Sequence, residues 1–319
     1  MNKRALTLFL FLIASCTRGE ESGRLQIAVI PKGTSHEYWK SVHAGAEVAA
    51  LELDVEILWK GPLIESDRNA QIQVVEDFVT RGVDGIVLMP LDRVALVRPA
   101  REAQQAGVPV IIADSDLDWD GRLSFVATDN ERGGEMGGEQ LAELLGGEGK
   151  VILMRYLENS ASTTRREEGF LKAMAANPGI EIVSSNQYAG PTIEGAQQTA
   201  ENLLNAFAEV DGIFCPCEPA AYGMMRAIQD AGRKDAIRFV GFDGSEKLVA
   251  GLAEGQVDAL VLQSPVAIGD LSVRAMVAHL RGEAVEGRID TGVVIATQEN
   301  MSSPLIQALL SPDLSILGE

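Results

Sequence analysis

The sequence contains an internal duplication with a period of about 125 residues. The segment RGVDGIVLMPLD at 81–92 returns as AEVDGIFCPCEP at 208–219. Four further anchor pairs keep this spacing, namely Ile27 with Ile152, Gly45 with Gly169, Ile57 with Ile182, and Gly107 with Gly232. Because solenoid units run only about 20–50 residues, the period predicts two copies of one domain-sized unit. We expect two similar lobes that face each other across a cleft.

Each copy alternates short apolar runs with helical patterns. In the first copy the predicted strands are LQIAVI, VEILW, DGIVLMP and VPVIIAD. The first helix is expected to follow a capping box formed by Thr34 and Glu37, and the second is expected to end at Gly82. Apolar strands that alternate with helices are typical of parallel sheets covered on both faces. The sequence therefore predicts an α/β fold with two similar, doubly wound parallel-sheet lobes.

The two lobes are expected to be joined by a three-segment hinge. The connecting segments are residues 125–130, 260–264 and 290–294. The resulting division assigns 24–128 plus 264–290 to the N-terminal lobe and 129–263 plus 291–319 to the C-terminal lobe. A chain that crosses between lobes several times forms a hinge, whereas a single crossing would form a flexible linker.

The N-terminus has the pattern of an export signal. Residues 2–4, Asn-Lys-Arg, form a basic n-region, and the apolar run at 5–15 is too short for a membrane span of about 20 residues. The run ends in Ile-Ala-Ser before Cys16, which resembles the lipobox of bacterial lipoproteins. That resemblance implies cleavage after residue 15, lipidation of Cys16, a tether over 16–23, and anchoring in the cell envelope. An ordinary signal peptide with an incidental cysteine is the alternative.

Composition argues against several functional classes. The net charge of −19 disfavours a nucleic acid partner, because an acidic surface repels phosphate backbones. The chain has three histidines, none of them close in sequence to Cys215 and Cys217, so we expect buried free thiols and no metal. We find no activated nucleophile and no phosphate-binding glycine loop after a strand. We therefore expect neither an enzyme nor a cofactor.

Several polar or sulfur-containing side chains come directly after predicted strands. They are Lys32, Met89, Asp114, Cys217 and Asp243. In open α/β sheets, ligands bind beyond the carboxyl ends of the strands. These positions are therefore candidates for contact with a small ligand in the cleft.

The order of motifs resembles the periplasmic sugar-binding proteins of the ribose/galactose type, which serve ABC importers. The motifs are IAVIPKGTSHEYW, GVDGIVLMP, GVPVIIAD, FVATDN, RREEGF, DGIFCPCEPAAYG, VGFDGS and LVLQSPVAIG, and the resemblance covers residues 24–300. It implies a type I periplasmic binding fold that closes on one small ligand. The related LacI-type repressors carry an N-terminal DNA-binding region, for which the chain has no room before Leu25.

The resemblance implies roles for individual residues. Asp114 and Asp243 match carboxylates that accept hydrogen bonds from sugar hydroxyls, and Arg166 matches a ligand-binding arginine. Tyr38 and Trp39 match tandem aromatics that stack on a sugar ring. For both aromatics, packing in the core is the alternative, and for Asp114 it is a turn or helix cap.

Further positions follow from the same comparison. His36 takes a place that contributes a polar side chain to the ligand, although surface capping is an alternative. Thr128 and Gln263 lie at the first two lobe crossings, where ligand contacts are expected. Met89 and Cys217 stand where ribose-type receptors place asparagine, which implies a different ligand.

The resulting functional expectation is a lipid-anchored solute-binding protein that delivers a small sugar to an ABC permease. We expect it to act as a monomer. Lys32, which directly follows the first strand, would favour an acidic or phosphorylated ligand. A sensor that presents its ligand to a membrane kinase or chemoreceptor is the alternative function.

Overall fold

The computed structural model describes residues 23–318. The predicted signal peptide and the lipidation site at Cys16 lie outside the described residues. Across the described part of the chain, no helix has both the length and the apolar character that a membrane crossing requires.

Strands and helices alternate along most of residues 23–318. The strands are β1 (Gln26–Ile30), β2 (Glu56–Trp59), β3 (Gly85–Leu88), β4 (Val110–Ala113), β5 (Phe125–Ala127), β6 (Gly149–Arg155), β7 (Ile180–Tyr188), β8 (Gly212–Phe214), β9 (Arg238–Phe242), β10 (Ala259–Gln263), β11 (Arg288–Asp290) and β12 (Val293–Ala296). The α-helices are α1 (Glu37–Leu53), α2 (Arg68–Arg81), α3 (Val97–Gln105), α4 (Asn130–Leu144), α5 (Ala161–Ala175), α6 (Ile193–Ala206), α7 (Glu218–Asp230), α8 (Glu246–Ala253), α9 (Pro265–Leu280) and α10 (Pro304–Leu310). A short 3₁₀-helix, Ser315–Leu317, follows α10.

The strands form two six-stranded sheets with equivalent strand orders. Their strand orders are β11-β5-β4-β3-β1-β2 and β12-β10-β9-β8-β6-β7. All neighbouring pairs are parallel except β10 and β12, which are antiparallel. Each sheet packs an apolar core on both of its faces. The predicted α/β fold with two duplicated, doubly wound lobes is confirmed.

The repeated V-D-G-I motif begins the third strand of each lobe and fixes it to the first. Asp84 Oδ2 accepts a hydrogen bond from the backbone N–H of Gln26 at 2.7 Å. Asp211 Oδ2 accepts the corresponding bond from the backbone N–H of Lys150, also at 2.7 Å. The motif recurs because each lobe uses an equivalent aspartate, Asp84 or Asp211, to align its two central strands.

Each lobe contains one helix that directly follows a strand of the other lobe. Helix α4 follows β5 of the first sheet but packs against α5, which belongs to the second lobe. Helix α9 follows β10 of the second sheet but packs against α1 of the first lobe. The two lobes therefore exchange equivalent helices.

The repeat anchors Gly45 and Gly169 lie at these two helix contacts. A Cβ on Gly45 would come far closer than 3.0 Å to the carbonyl oxygen of Val266 in α9. A Cβ on Gly169 would come equally close to the carbonyl oxygen of Glu131 in α4. Glycine is required here because it lets one helix backbone touch another.

The start of α1 differs from the prediction. The helix begins at Glu37 after the N-cap residue His36, and no side chain caps it, so the predicted capping box is wrong. The Thr34 hydroxyl instead donates to the carbonyl oxygen of Pro62 at 3.3 Å. The Glu37 carboxylate accepts from the backbone N–H of Glu246 in the other lobe at 2.9 Å. A contact between lobes, which local sequence does not reveal, has taken the place of the local cap.

The chain passes between the sheets after β5, after β10 and between β11 and β12. Thr128 links all three passages, because its hydroxyl donates to Gln263 Oε1 at 3.2 Å and lies 3.2 Å from the Thr291 hydroxyl. Near the C-terminus, the 3₁₀-helix contacts α1 of the first lobe, although we assigned its residues to the second. The residue boundaries of the lobes stay a prediction.

Candidate functional site

Asp114 and Asp243 occupy equivalent positions directly after β4 and β9. Both adopt left-handed backbone conformations, with φ of 59° and 73°. The backbone N–H of Asp114 donates to Val126 and that of Asp243 donates to Val261, both at 2.9 Å. Non-glycine residues rarely adopt this conformation, and such residues concentrate at functional sites. The duplication therefore extends to the conformation of these two aspartates.

In the first lobe, Asp114 is the centre of a buried polar cluster. The Tyr38 hydroxyl donates to Asp114 Oδ1 at 2.7 Å, and Lys32 Nζ lies 3.0 Å from Asp114 Oδ2. Lys32 also donates to the Ser162 hydroxyl of the second lobe at 2.9 Å. Burial, followed by the charges of Asp114 and Asp243, raises the pKa of Tyr38 well above its usual value. Tyr38 is therefore a neutral donor, and the charge of Lys32 is already balanced by Asp114.

In the second lobe, Asp243 is the corresponding centre. Gln263 Nε2 donates to Asp243 Oδ1 at 2.7 Å, and the backbone N–H of Glu218 donates to Oδ2 at 3.0 Å. An Arg166 guanidinium nitrogen lies 3.9 Å from the same Oδ2. Burial raises the pKa of Asp243, while Arg166 and the hydrogen bond from Gln263 partly oppose that shift.

Arg166 is held rigidly at the cleft. Its Nε donates to Asn130 Oδ1 at 2.8 Å, and one terminal nitrogen donates to the carbonyl oxygen of Pro216 at 2.9 Å. The guanidinium lies 3.9 Å from the centroid of the Phe242 ring, a favourable cation–π contact. Because these contacts fix the planar group, its remaining N–H donors are preorganised for a ligand.

Glu65 is a buried carboxylate that sequence reasoning did not identify. It lies between β2 and α2 and joins the lobes, because it accepts from Trp39 Nε1 at 2.7 Å and from the Tyr156 hydroxyl of the second lobe at 3.0 Å. His36 Nε2 is 3.8 Å from Glu65 Oε1 and has no hydrogen-bond partner. Burial and the charge of Glu65 raise the pKa of Tyr156 well above its usual value.

Glu218, the first residue of α7, is a second unpredicted carboxylate. Burial, together with the negative charges of Asp243, Glu37 and Glu65, raises its pKa to about 8, although a backbone hydrogen bond from Tyr38 opposes the shift. Glu218 is therefore largely protonated at neutral pH in this closed arrangement.

The raised pKa of Glu218 predicts a pH-dependent stability. The pKa of Glu218 is 4.5 in the unfolded chain and about 8 in the native protein, so the native protein binds more protons between these two pH values. The contribution of this proton to the free energy of unfolding should be fully present below pH 4.5. This contribution should be lost as the pH rises through the native pKa of about 8, by at most about 1.4 kcal/mol per pH unit for one proton. Asp243 contributes in the same direction.

The melting temperature measured from pH 5 to pH 8.5 tests this dependence on pH. Glu218→Gln should flatten the decline, because glutamine has no proton to lose. Glu168→Gln, at a side chain that is 49% exposed, is the matched control and should keep the wild-type slope. An unchanged slope in Glu218→Gln would contradict the assignment.

A narrow cavity of about 30 Å³ between the lobes collects these groups. That volume is far below the usual range for small-molecule pockets, about 300–1,000 Å³, so the lobes must stand further apart to admit a ligand. Its lining includes nine of the predicted residues, namely Lys32, His36, Tyr38, Trp39, Asp114, Arg166, Cys217, Asp243 and Gln263. The lining residues that we did not predict are Glu65, Tyr156, Ser162, Thr163, Glu218 and Pro219. Contact of any of them with a ligand stays a prediction.

Two predicted residues do not line this cavity. Met89 is fully buried in the core against α1 and α9, and its carbonyl oxygen accepts from Gln71 Nε2 at 2.8 Å. The Thr128 hydroxyl instead contacts Gln263 and Thr291 at the hinge. We predicted that Met89 and Cys217 occupy equivalent positions at the ligand, but only Cys217 lines the cavity, because the Met89 side chain packs into the core. Cys217 lines the cavity as a free thiol, and burial raises its pKa well above the usual value.

Comparison with known proteins identifies a family and several relatives. The family described as "Periplasmic binding protein domain" matches residues 27–284. The chain is 27% identical to the ribose import binding protein of Bacillus subtilis, over 92% of this chain and 97% of that protein.

Two solved structures resemble the whole two-lobed fold. A carbohydrate transporter solute-binding protein from Agrobacterium radiobacter, in complex with D-arabinose, has a TM-score of 0.88 and 31% identity, with coverage of 91% of this chain and 100% of that one. An ABC transporter solute-binding protein from Agrobacterium vitis, with bound D-fucose, has a TM-score of 0.87 and 35% identity, with coverage of 89% and 99%.

Proposed function

This chain belongs to the periplasmic binding protein family, as a sugar-binding protein of the ribose/galactose type, and from that premise we propose that it captures a monosaccharide or related polyol between its lobes. It then presents the ligand to an ABC importer. The relatives compared are import and transporter proteins and do not favour the alternative sensor. We also propose that the protein acts as a monomer, because one chain supplies both walls of the cavity.

The observation that carries the proposal is the pairing of Asp114 and Asp243 on one cavity. The two carboxylates come from equivalent strand ends of different lobes, and each accepts hydrogen bonds from protein donors that a ligand can replace. A carboxylate can accept from two neighbouring hydroxyls, and such charge-assisted bonds are roughly twice as strong as neutral ones. The aromatic ring of Tyr38, which lines the same cavity, suits the apolar face of a sugar ring.

The expected mechanism is closure of the lobes around the ligand. The lining comes from both lobes, so a ligand can contact all of it only in the closed form. The polar bonds that link the lobes at the cavity include Lys32 to Ser162 and Tyr156 to Glu65. A ligand that adds contacts to both walls shifts the population toward the closed form, which a permease can recognise.

Thermal shift and intrinsic tryptophan fluorescence measure this binding. A panel of D-ribose, D-arabinose, D-fucose, D-allose, D-galactose and myo-inositol covers pentoses, hexoses and a cyclitol. At least one member should raise the melting temperature and change the emission of Trp39, which is 3% exposed at the cavity. If no sugar or polyol changed either signal, the carbohydrate assignment would fail.

We further propose that the mature protein is anchored by lipid at Cys16. In a bacterial host, the wild-type chain should fractionate with membranes and incorporate labelled fatty acid. Cys16→Ser should lose the label and become soluble, because no other acylated group would hold it at the bilayer. Cys215→Ser, at a buried thiol of the mature fold, is the control and should stay with the membrane. A Cys16→Ser protein that kept its label would overturn the anchoring.

A further inference from the structure

The cations that line the cavity are already balanced by carboxylates. Lys32 Nζ lies 3.0 Å from Asp114, and Arg166 lies 3.9 Å from Asp243. Both pairs are buried, with side-chain exposures below 10%. An acidic or phosphorylated ligand, which Lys32 alone suggested, would therefore have to compete with an aspartate for either cation.

Glu65 remains without a cation in hydrogen-bond contact. Its two partners, the Trp39 indole and the Tyr156 hydroxyl, are neutral donors, and its side chain is only 9% exposed. The nearest basic atom is His36 Nε2 at 3.8 Å, beyond hydrogen-bond range. That nitrogen is itself buried and without a partner. Buried charges are costly unless they are paired, so Glu65 and the unpartnered His36 nitrogen point to a ligand group placed between the lobes.

Glu218 adds a second carboxyl to the same cavity, one that is largely protonated at neutral pH in the closed form. It is 6% exposed, and the charged groups that act on it most strongly are Asp243, Glu37 and Glu65, all of them acidic. Closure thus brings the acidic groups of the first lobe against those of the second. Within residues 23–318, no group of three or more histidine, cysteine, aspartate or glutamate side chains is placed to hold a metal ion. The carboxylate of Glu65, whose hydrogen-bond partners are neutral, is therefore left to pair with a cationic group of an organic ligand.

We propose that the preferred ligand carries a protonated amine on its polyol ring, as in an amino sugar or an amino cyclitol. This inference rests on the proposed function and deepens it. The hydroxyls of such a ligand reach Asp114, Asp243 and Arg166, as those of a neutral sugar would. Its ammonium group donates to the carboxylate of Glu65 and to the unprotonated oxygen of the Glu218 carboxyl. A compact, three-donor cation suits carboxyl oxygens that approach from different directions.

Isothermal titration calorimetry with matched ligands tests the proposal. The pairs are D-glucose with D-glucosamine, D-galactose with D-galactosamine, D-mannose with D-mannosamine, and scyllo-inositol with scyllo-inosamine. In at least one pair, the amine should bind at least about tenfold more tightly than its neutral parent. N-Acetylation of that amine, which removes the charge, should abolish the advantage.

A single variant assigns the preference to Glu65. Glu65→Gln keeps an oxygen that accepts from Trp39 but removes the charge, so the affinity ratio of amine to neutral parent should fall about tenfold. Glu209→Gln, at a side chain that is 84% exposed, is the control and should keep the wild-type ratio. The comparison of each amine with its acetylated form uses the wild-type protein, so it stands even if the variant folds poorly.

The outcomes separate this inference from the proposed function. If neutral sugars bind as tightly as their amines in every pair, the inference is overturned and sugar binding stands. The same holds if acetylated amines keep the advantage, or if Glu65→Gln folds normally and keeps the wild-type ratio. If neither neutral nor aminated polyols bind, the proposed function fails, and the inference fails with it.

Discussion

Asp114→Asn should weaken the binding of the tightest sugar in the panel by about 100-fold. The substitution removes charge-assisted hydrogen bonds, which contribute about 1.5–3 kcal/mol each, and about 2.7 kcal/mol corresponds to 100-fold in affinity. It also leaves Lys32, whose side chain is 5% exposed, without its counter-charge. The backbone should tolerate the change, because asparagine accepts the left-handed conformation as readily as aspartate. Calorimetric titration of the variant measures the loss.

A surface aspartate provides the control for this experiment. Asp77 is 48% exposed and pairs with Lys60 outside the cavity, so Asp77→Asn should bind sugar like the wild type. Asp243→Asn should repeat the loss, because Asp243 occupies the equivalent position in the second lobe. Wild-type affinity in a correctly folded Asp114→Asn protein would remove Asp114 from the binding site.

Gly169→Ala should lower the free energy of unfolding by about 3 kcal/mol. In the middle of an exposed helix, the same change would stabilise by about 1 kcal/mol through helix propensity. Here the added Cβ would overlap the backbone carbonyl of Glu131 in α4, which no side-chain rotation can relieve. Overpacking of this kind costs about 1–3 kcal/mol and occasionally more. Because α5 also carries Arg166, the separation of the helices should weaken sugar binding as well.

Urea denaturation compares this variant with a glycine in open space. A Cβ on Gly287 would have no atom within 4 Å, so Gly287→Ala should leave stability nearly unchanged. Gly45→Ala should be destabilised like Gly169→Ala, because Gly45 touches the backbone of Val266 in α9. Equal stability of the Gly169→Ala and Gly287→Ala proteins would mean that α4 and α5 do not approach as closely as described.

The fold was predictable because its most important contacts recur along the sequence. Asp84 and Asp211 stand in the same motif and make the same 2.7 Å bond, so the repeat reports a shared physical need. Gly45 and Gly169 mark the same helix contact in both lobes. The strand-end rule placed Asp114 and Asp243 on the cavity, since both follow buried parallel strands.

The features that could not be predicted from the sequence depend on contacts between residues that are distant along the chain. Glu65 lies in a loop without a motif, and its role becomes visible only when Tyr156 of the other lobe comes within 3.0 Å. Glu37 has a good helix-cap spacing from Thr34, but the closed lobes give its carboxylate a partner in Glu246 instead. Met89 follows its strand as expected, yet it turns into the core. Spacing alone does not distinguish these outcomes.

The exchange of α4 and α9 between lobes affects the order in which the chain can mature during synthesis. The first lobe lacks the helix that covers α1, and the edge strand β11, until residue 290 has been added. About nine-tenths of the polypeptide must therefore emerge before either half has all its parts. A nascent chain of this topology cannot complete one globule early and continue with the other. That delay suits a protein exported to the periplasm, because a chain without a finished domain can still be threaded through a narrow channel.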